Sequence, residues 1–192
     1  MFVEALLEAC STGQVDQLQT LLEQIQDLDL DPISFPPTGY LLRTAAKNGQ
    51  ASIVRYLFSK HPDCRKRKPW EAGLPDGMCW NDMPAKWSVV DDYAVYAAIQ
   101  GSDPINVFQV FLDFGISVDY HLDRGVSPLA IALFISFELA SFLLQKGANP
   151  NGRYSSEESF LGSAARRTTP ELLNLLLQHG ARVSFDLIIR EA

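Results

Sequence analysis

The sequence predicts an all-α protein in which short helix–turn–helix units repeat and stack. Three observations predict it. A glycine turn recurs after leucine-rich runs, a short alanine-bearing helix recurs upstream of those turns, and an apolar stripe at helical spacing lies between them.

The turn is plainest in FLLQKGANPNG, Phe142 to Gly152, where a leucine-rich run stops at Gly147. Ala148-Asn149-Pro150-Asn151 cannot continue a helix and favour a turn. The same turn recurs as LDFGISVD (Leu112 to Asp119) and LQHGARVS (Leu177 to Ser184), so Gly115, Gly147 and Gly180 stand 32 and 33 residues apart. Each glycine is expected to take the left-handed conformation that ends a helix.

The first helix of each unit carries small residues: LLEACSTG (Leu6 to Gly13), LLRTAAKNG (Leu42 to Gly49), YAVYAAIQG (Tyr93 to Gly101), GVSPLAIAL (Gly125 to Leu133) and FLGSAARR (Phe160 to Arg167). Alanines 9, 45, 97, 132 and 164 fall in register at intervals of 36, 52, 35 and 32. Ala45, Ala46, Ala97, Ala98, Ala164 and Ala165 would let neighbouring helices approach closely. The second helix shows an i, i+3, i+4 stripe at Leu18/Leu21/Leu22, Val54/Leu57/Phe58, Phe108/Phe111/Leu112, Leu139/Leu143/Leu144 and Leu172/Leu173/Leu176/Leu177. One helix pair cannot bury such a stripe alone, so the units must stack.

Taken together, L-x-x-A-A-x-x-G, an apolar second helix and L-L-x-x-G-A-x-x-N resemble the ankyrin repeat over most of the chain, in about five copies. The resemblance implies an ankyrin-repeat solenoid with β-turn fingers, and a single domain over 1–192 with repeats near 1–37, 38–60, 88–120, 121–152 and 153–184. Residues 185–192, FDLIIREA, would open a further copy or form a cap. The family's T-P-L-H opening survives only as Ser127-Pro128-Leu129-Ala130, the third copy carries extra residues around Asp103-Pro104, and the fourth is shortened.

The 52-residue interval holds about 19 surplus residues against a 33-residue period, within an insert at 61–87 between repeats 2 and 3. All three tryptophans, Trp70, Trp80 and Trp87, fall there. They would either pin a long loop to the repeats or present aromatic anchors to a partner. Arg65-Lys66-Arg67-Lys68 in the same insert is a nuclear import signal, an anion patch or a solvated loop.

Composition narrows the chemistry. The chain has 192 residues, 47% hydrophobic and 20% charged, which suits a folded domain with a core. Net charge is -7, distributed as -3 over 1–60, +1 over 61–90 and -5 over 91–192, so binding to nucleic acid or anionic lipid is not expected. The acidic amphipathic start does not read as a signal peptide, and three cysteines without a glycosylation sequon fit a reducing interior, cytoplasmic or nuclear.

His61, Cys64 and Cys79 lack a fourth metal ligand, and a Cys64–Cys79 disulfide is not expected in a reducing compartment. Cys10 stands at an alanine position and reads as core. No nucleophile, phosphate-loop, dinucleotide or zinc-protease motif is present, and neither His121 nor His179 is paired with a nucleophile. The expectation is no catalysis, no cofactor and no metal.

The function that follows is a protein-interaction module, monomeric by itself, whose partner is a protein. The alternative is a small-molecule binder or atypical enzyme using the groove and the tryptophan-rich insert. By the resemblance, the contact strip runs over the ends of the first helices, Ser11/Thr12, Lys47/Asn48, Ile99/Gln100 with Tyr96, Phe134/Ile135 and Arg166/Arg167. Finger residues Asp91, Asp92, Tyr120, Asp123, Arg124 and Tyr154 would flank it. The competing reading of Phe134 and Ile135 is packing beneath neighbouring loops.

Overall fold

The computed structural model describes residues 2–27, 38–60, 92–122, 125–154, 158–166 and 170–183. Within them ten helices form five consecutive pairs: α1 Phe2–Thr12 and α2 Val15–Asp27, α3 Thr38–Lys47 and α4 Ala51–Lys60, α5 Asp92–Ile99 and α6 Pro104–Asp113, α7 Pro128–Ile135 and α8 Phe137–Gln145, α9 Phe160–Arg166 and α10 Pro170–Gln178. The architecture is all-helical among the described residues, apart from one antiparallel bridge between Arg153 and Ser159. The chain divides into two compact units, Met1–Ile116 and Ser117–Ala192.

Helix ends are set by local chemistry. Gly115, Gly147 and Gly180 have φ of +82°, +92° and +87°, as the turn pattern predicts. In each, the glycine N–H and the next N–H close back on the last helical turn: Gly147 N donates to Leu144 O and Ala148 N to Leu143 O, both at 3.0 Å. At the other end, Asp103 caps α6 by accepting from Asn106 N at 3.3 Å, with Pro104 at the first helical position.

The fourth copy is short because one residue makes its inter-helix turn. Ser136 N donates to Ala132 O at 2.9 Å to end α7, and Ser136 Oγ accepts from Leu139 N at 3.1 Å to start α8. Ser127 retains the hydroxyl cap of the repeat opening, accepting from Ala130 N at 3.3 Å.

In the first unit α3 lies between α1 and α5, and α4 between α2 and α6. The alanines make this possible: Ala9, Ala45, Ala46 and Ala98 are fully buried. Phe58 of α4 meets Phe111 and Phe114 with ring centroids 5.6 Å and 5.2 Å apart. The second unit pairs α7 with α8 and α9 with α10, and α10 also packs on α8. Its centre is Leu129, Ala132, Leu139, Leu143, Phe160 and Leu176.

The predicted core register needs correction at its margins. Ala97 is half-buried while Ala98 is buried, and Ala165 is exposed although Ala164 is buried. Leu177 is 43% exposed, and Leu21, Leu22, Leu112, Leu172 and Leu173 are half-buried. A helix turns about 100° per residue, so adjacent residues face different directions; α3, with a helix on either side, buries both Ala45 and Ala46, while at α5 and α9 one alanine of the pair falls at or beyond the margin.

Candidate interaction surface

Within the first unit, each helix pair is joined to the one before it by a polar link from its turn. Gln50 Nε2 donates to Ser11 O at 2.9 Å, and Ser102 N donates to Lys47 O at 3.1 Å. These are the same positions of successive copies, once served by a side chain and once by the backbone.

In the second unit the fingers are tied by a ladder that the sequence reading missed. Asp119 Oδ1 accepts from Asn149 N at 3.0 Å, and Asn151 Oδ1 accepts from Arg182 N at 2.7 Å. Asn151 Nδ2 also donates to Gly180 O at 3.2 Å. The available signal was an Asp or Asn four residues after the turn glycine, at 119 and 151.

The predicted strip is then placed residue by residue. In the first unit Lys47, Asn48, Thr12 and Gln100 are exposed, and Tyr96 and Ser11 are half-buried. Part of this polarity is spent locally, because Ser11 Oγ and Thr12 Oγ1 both donate to Glu8 O, and Asn48 Nδ2 donates to Thr44 O.

Two first-unit residues differ from expectation. Ile99 is only 2% exposed and Asp92 only 7% exposed. Ile99 occupies the place that Lys47 holds in the preceding copy, but its side chain is apolar and gains by turning inward. Asp92 is the first residue of α5 rather than a finger residue, and the helix it opens carries its side chain into the unit.

In the second unit Phe134 is 42% and Ile135 51% exposed at the end of α7. The Phe134 ring lies edge-on to Tyr154 with centroids 4.7 Å apart, and Tyr154 rests on buried Phe160 at 4.9 Å. Tyr154 stands beside the Arg153–Ser159 bridge, its N–H donating to Glu158 O at 2.8 Å. Glu158 also pairs with Arg166, which brings the predicted cation beside this aromatic ledge. Tyr120 is half-buried.

Asp91, Asp123, Arg124, Arg167 and the insert residues Trp70, Trp80 and Trp87 lie outside the described residues. Exposed aromatics that the sequence reading did not single out are Phe2, Tyr40, Tyr93 and Phe137.

Phe137, Glu138, Glu171 and Leu172 line an open recess of about 380 Å³ beside α8 and α10. Leu133, Phe134, Tyr154, Phe160, Ser163, Ala164 and Leu172 line a cavity of about 10 Å³, room for one water at most. No group of three His, Cys, Asp or Glu side chains among the described residues could hold a metal ion. Burial pushes the Cys10 thiol up to about 12, which keeps it protonated and unreactive. None of the described helices is long and apolar enough to cross a membrane.

No family model matches the chain. It is 26% identical over 188 residues, 92% of its length, to the ankyrin repeat and KH domain-containing protein mask-1 of Caenorhabditis elegans, of which it spans 7%. It is 37% identical over 78 residues, 36% of its length, to a putative ankyrin repeat protein of Rickettsia felis, of which that match spans 29%. The chain therefore spans under a third of either relative. Among solved structures it is similar to a chain in the complex of the Bd0816 predatory endopeptidase of Bdellovibrio bacteriovorus with the immunity protein Bd3460, with a TM-score of 0.57 and 24% identity over 93% of this chain and 82% of that one. That likeness speaks for the fold. The relatives are named for the repeat whose motif, turns and helix pairs are found in this chain, and by those features the chain is similar to ankyrin-repeat proteins.

Proposed function

We infer that the chain is a non-catalytic protein-interaction module whose second unit takes an apolar anchor of its partner on Phe134, Ile135 and Tyr154, beside Arg166. The observation that carries this reading is the exposure of Phe134 and Ile135 on a backed ledge, with Tyr154 behind Phe134 and buried Phe160 behind Tyr154. Rings fixed in this way lose little freedom on binding, and desolvated aromatic anchors dominate protein interfaces. Arg166 adds orientation, favouring a partner carboxylate next to the apolar anchor. Relatives named for ankyrin repeats, and a similar solved chain that sits in a complex of two proteins, support the same reading.

The predicted strip contracts accordingly. Buried Ile99 leaves it, while Lys47, Asn48, Tyr96 and Gln100 stay accessible on the first unit.

The test is differential capture from lysate by the whole chain and by Phe134→Asp and Ile135→Asp, with helicity and melting measured alongside. Proteins held by the parent and lost by both folded variants are the expected result. Equal capture by folded variants would move the site off the ledge, and unfolding of both would make Phe134 and Ile135 packing residues. A small molecule that raises the melting temperature of the chain with no protein present would instead favour the alternative reading.

A further inference from the structure

Ser163 carries a buried hydroxyl that its own helix does not satisfy. It lies on α9 and is 4% exposed, and its Oγ meets no hydrogen-bond partner among the described residues.

Other helical hydroxyls of the chain find a partner within their own turn. Ser11 and Thr12 donate to Glu8 O, Thr20 to Asp16 O, Thr44 to Tyr40 O and Ser59 to Tyr56 O. Thr44 is the closest comparison, because it precedes Ala45 in LLRTAAKNG as Ser163 precedes Ala164 in FLGSAARR. The same position bonds back to its helix in one copy and not in the other. An unpaired buried hydroxyl is costly, since it has left water and gained no partner in exchange. Native structures satisfy such groups with ordered water where the protein itself offers nothing.

The space beside Ser163 suits that solution. Together with Leu133 of α7, Ala164 of α9 and Leu172 of α10, Ser163 lines the cavity of about 10 Å³, close to the room of one water. Phe134, Tyr154 and Phe160, whose ring centroids follow one another at 4.7 Å and 4.9 Å, form another part of its wall. In the first unit α3 packs closely on α1 and α5. In the second the close pairs are α7 with α8, α9 with α10 and α10 with α8, and the three rings bridge from α7 to α9 instead.

A second polar group belongs to the same wall residues. Ser136 N ends α7 by donating to Ala132 O at 2.9 Å, and the next carbonyl, that of Leu133, receives no hydrogen bond among the described residues. Leu133 is itself buried, at 7% exposure.

We propose that this cavity is a hydration site, holding one buried water that pairs with the Ser163 hydroxyl and donates to the Leu133 carbonyl. Water has the size and the two-way hydrogen bonding that these groups require. An apolar guest would leave both groups unpaired, and an ion would meet no opposite charge on the residues that line the space. The water would join the fourth helix pair to the fifth, as the links from Gln50 to Ser11 O and from Ser102 N to Lys47 O join pairs of the first unit. It is a property of the free chain, so it stands or falls apart from the partner reading of the ledge.

The experiment compares the full chain with Ser163→Ala. Magnetic relaxation dispersion of the water oxygen counts the long-lived waters that a protein holds, and it does not register exchanging hydroxyl protons. The parent is expected to hold one such water more than the variant, because the space left by Ser163→Ala is larger but apolar, and an apolar cavity stays dry. Alanine is the best helix former, so α9 should persist, and circular dichroism checks it. A high-resolution crystal structure of the parent gives the position: density for a water within hydrogen-bonding distance of both Ser163 Oγ and Leu133 O is the expected result.

Two results would overturn the proposal. Equal numbers of long-lived waters in the parent and the folded variant would show that Ser163 holds none. A crystal structure with a dry cavity and the hydroxyl turned onto Ser159 O would show that the helix satisfies it, as at Thr44. If the variant loses helix, the crystal structure alone decides.

Discussion

Gly147 and Gly101 are both turn glycines, yet they are glycine for different reasons. Gly147 has φ +92°, and a Cβ added there would meet nothing within 4 Å. Its requirement is conformational only. A Cβ on Gly101 would stand 2.5 Å from Ala46 O, so that position is kept bare by the close approach of one copy to the carbonyls of another. Gly147→Val should accordingly cost about 1–2 kcal/mol through backbone strain alone, and Gly147→Asn distinctly less, because Asn tolerates the left-handed region. Urea titration of both variants checks this, and equal stability of Val and Gly would end the capping argument. The glycines were legible because a left-handed helix end leaves a residue-level mark. The links of Asp119 and Asn151 were not, since an Asx side chain in a turn can bond its own loop or a neighbouring one, and only the folded chain distinguishes Arg182 N from a local amide.

At the scale of the element, the five helix pairs could be read from alanines, stripes and turn glycines, because each is a packing requirement repeated at a fixed period. The faces of the pairs were read less well. The sequence pairs Ala97-Ala98 with Ala45-Ala46, but α3 buries both alanines of its pair whereas α5 buries Ala98 and leaves Ala97 half-buried, drawing Ile99 inward. One residue of helical rotation thus removes Ile99 from the predicted strip, and a one-residue shift in the opposite sense at α9, which buries Ser163 and Ala164, leaves Ala165 outside. Ala98→Trp should overpack the contact with α3 and destabilise by about 1–3 kcal/mol or more. Ala165→Trp, on an exposed position, should stay within about 0.5 kcal/mol of the parent. Thermal melts of the two variants separate the observed register from the one that alanine spacing alone suggests: equal losses would favour the latter.

At the scale of the whole molecule, stacked repeats gain stability from nearest-neighbour contacts, so an insert between two copies matters only if the neighbours need it to meet. The long interval between the second and third copies places the basic run and all three tryptophans at 61–87, outside the described residues. The copies on either side touch without it. α3 packs on α5, α4 packs on α6, Phe58 meets Phe111 at 5.6 Å, and Arg55 forms an ion pair with Asp113 at 2.7 Å. Deleting Pro69 to Ala85 should therefore leave the far-ultraviolet circular dichroism per helical residue nearly unchanged, since loop length between elements that already meet costs little, about 0.6 kcal/mol per doubling. The same deletion mutant discriminates function: capture of the partner should persist if the ledge at Phe134 and Ile135 is the site, and vanish in a folded protein if the tryptophans are the anchors. Loss of helix on deletion would instead make Trp70 and Trp80 part of the core of the first unit, and the gap in the repeat period would then be a stabilising element rather than a detachable loop.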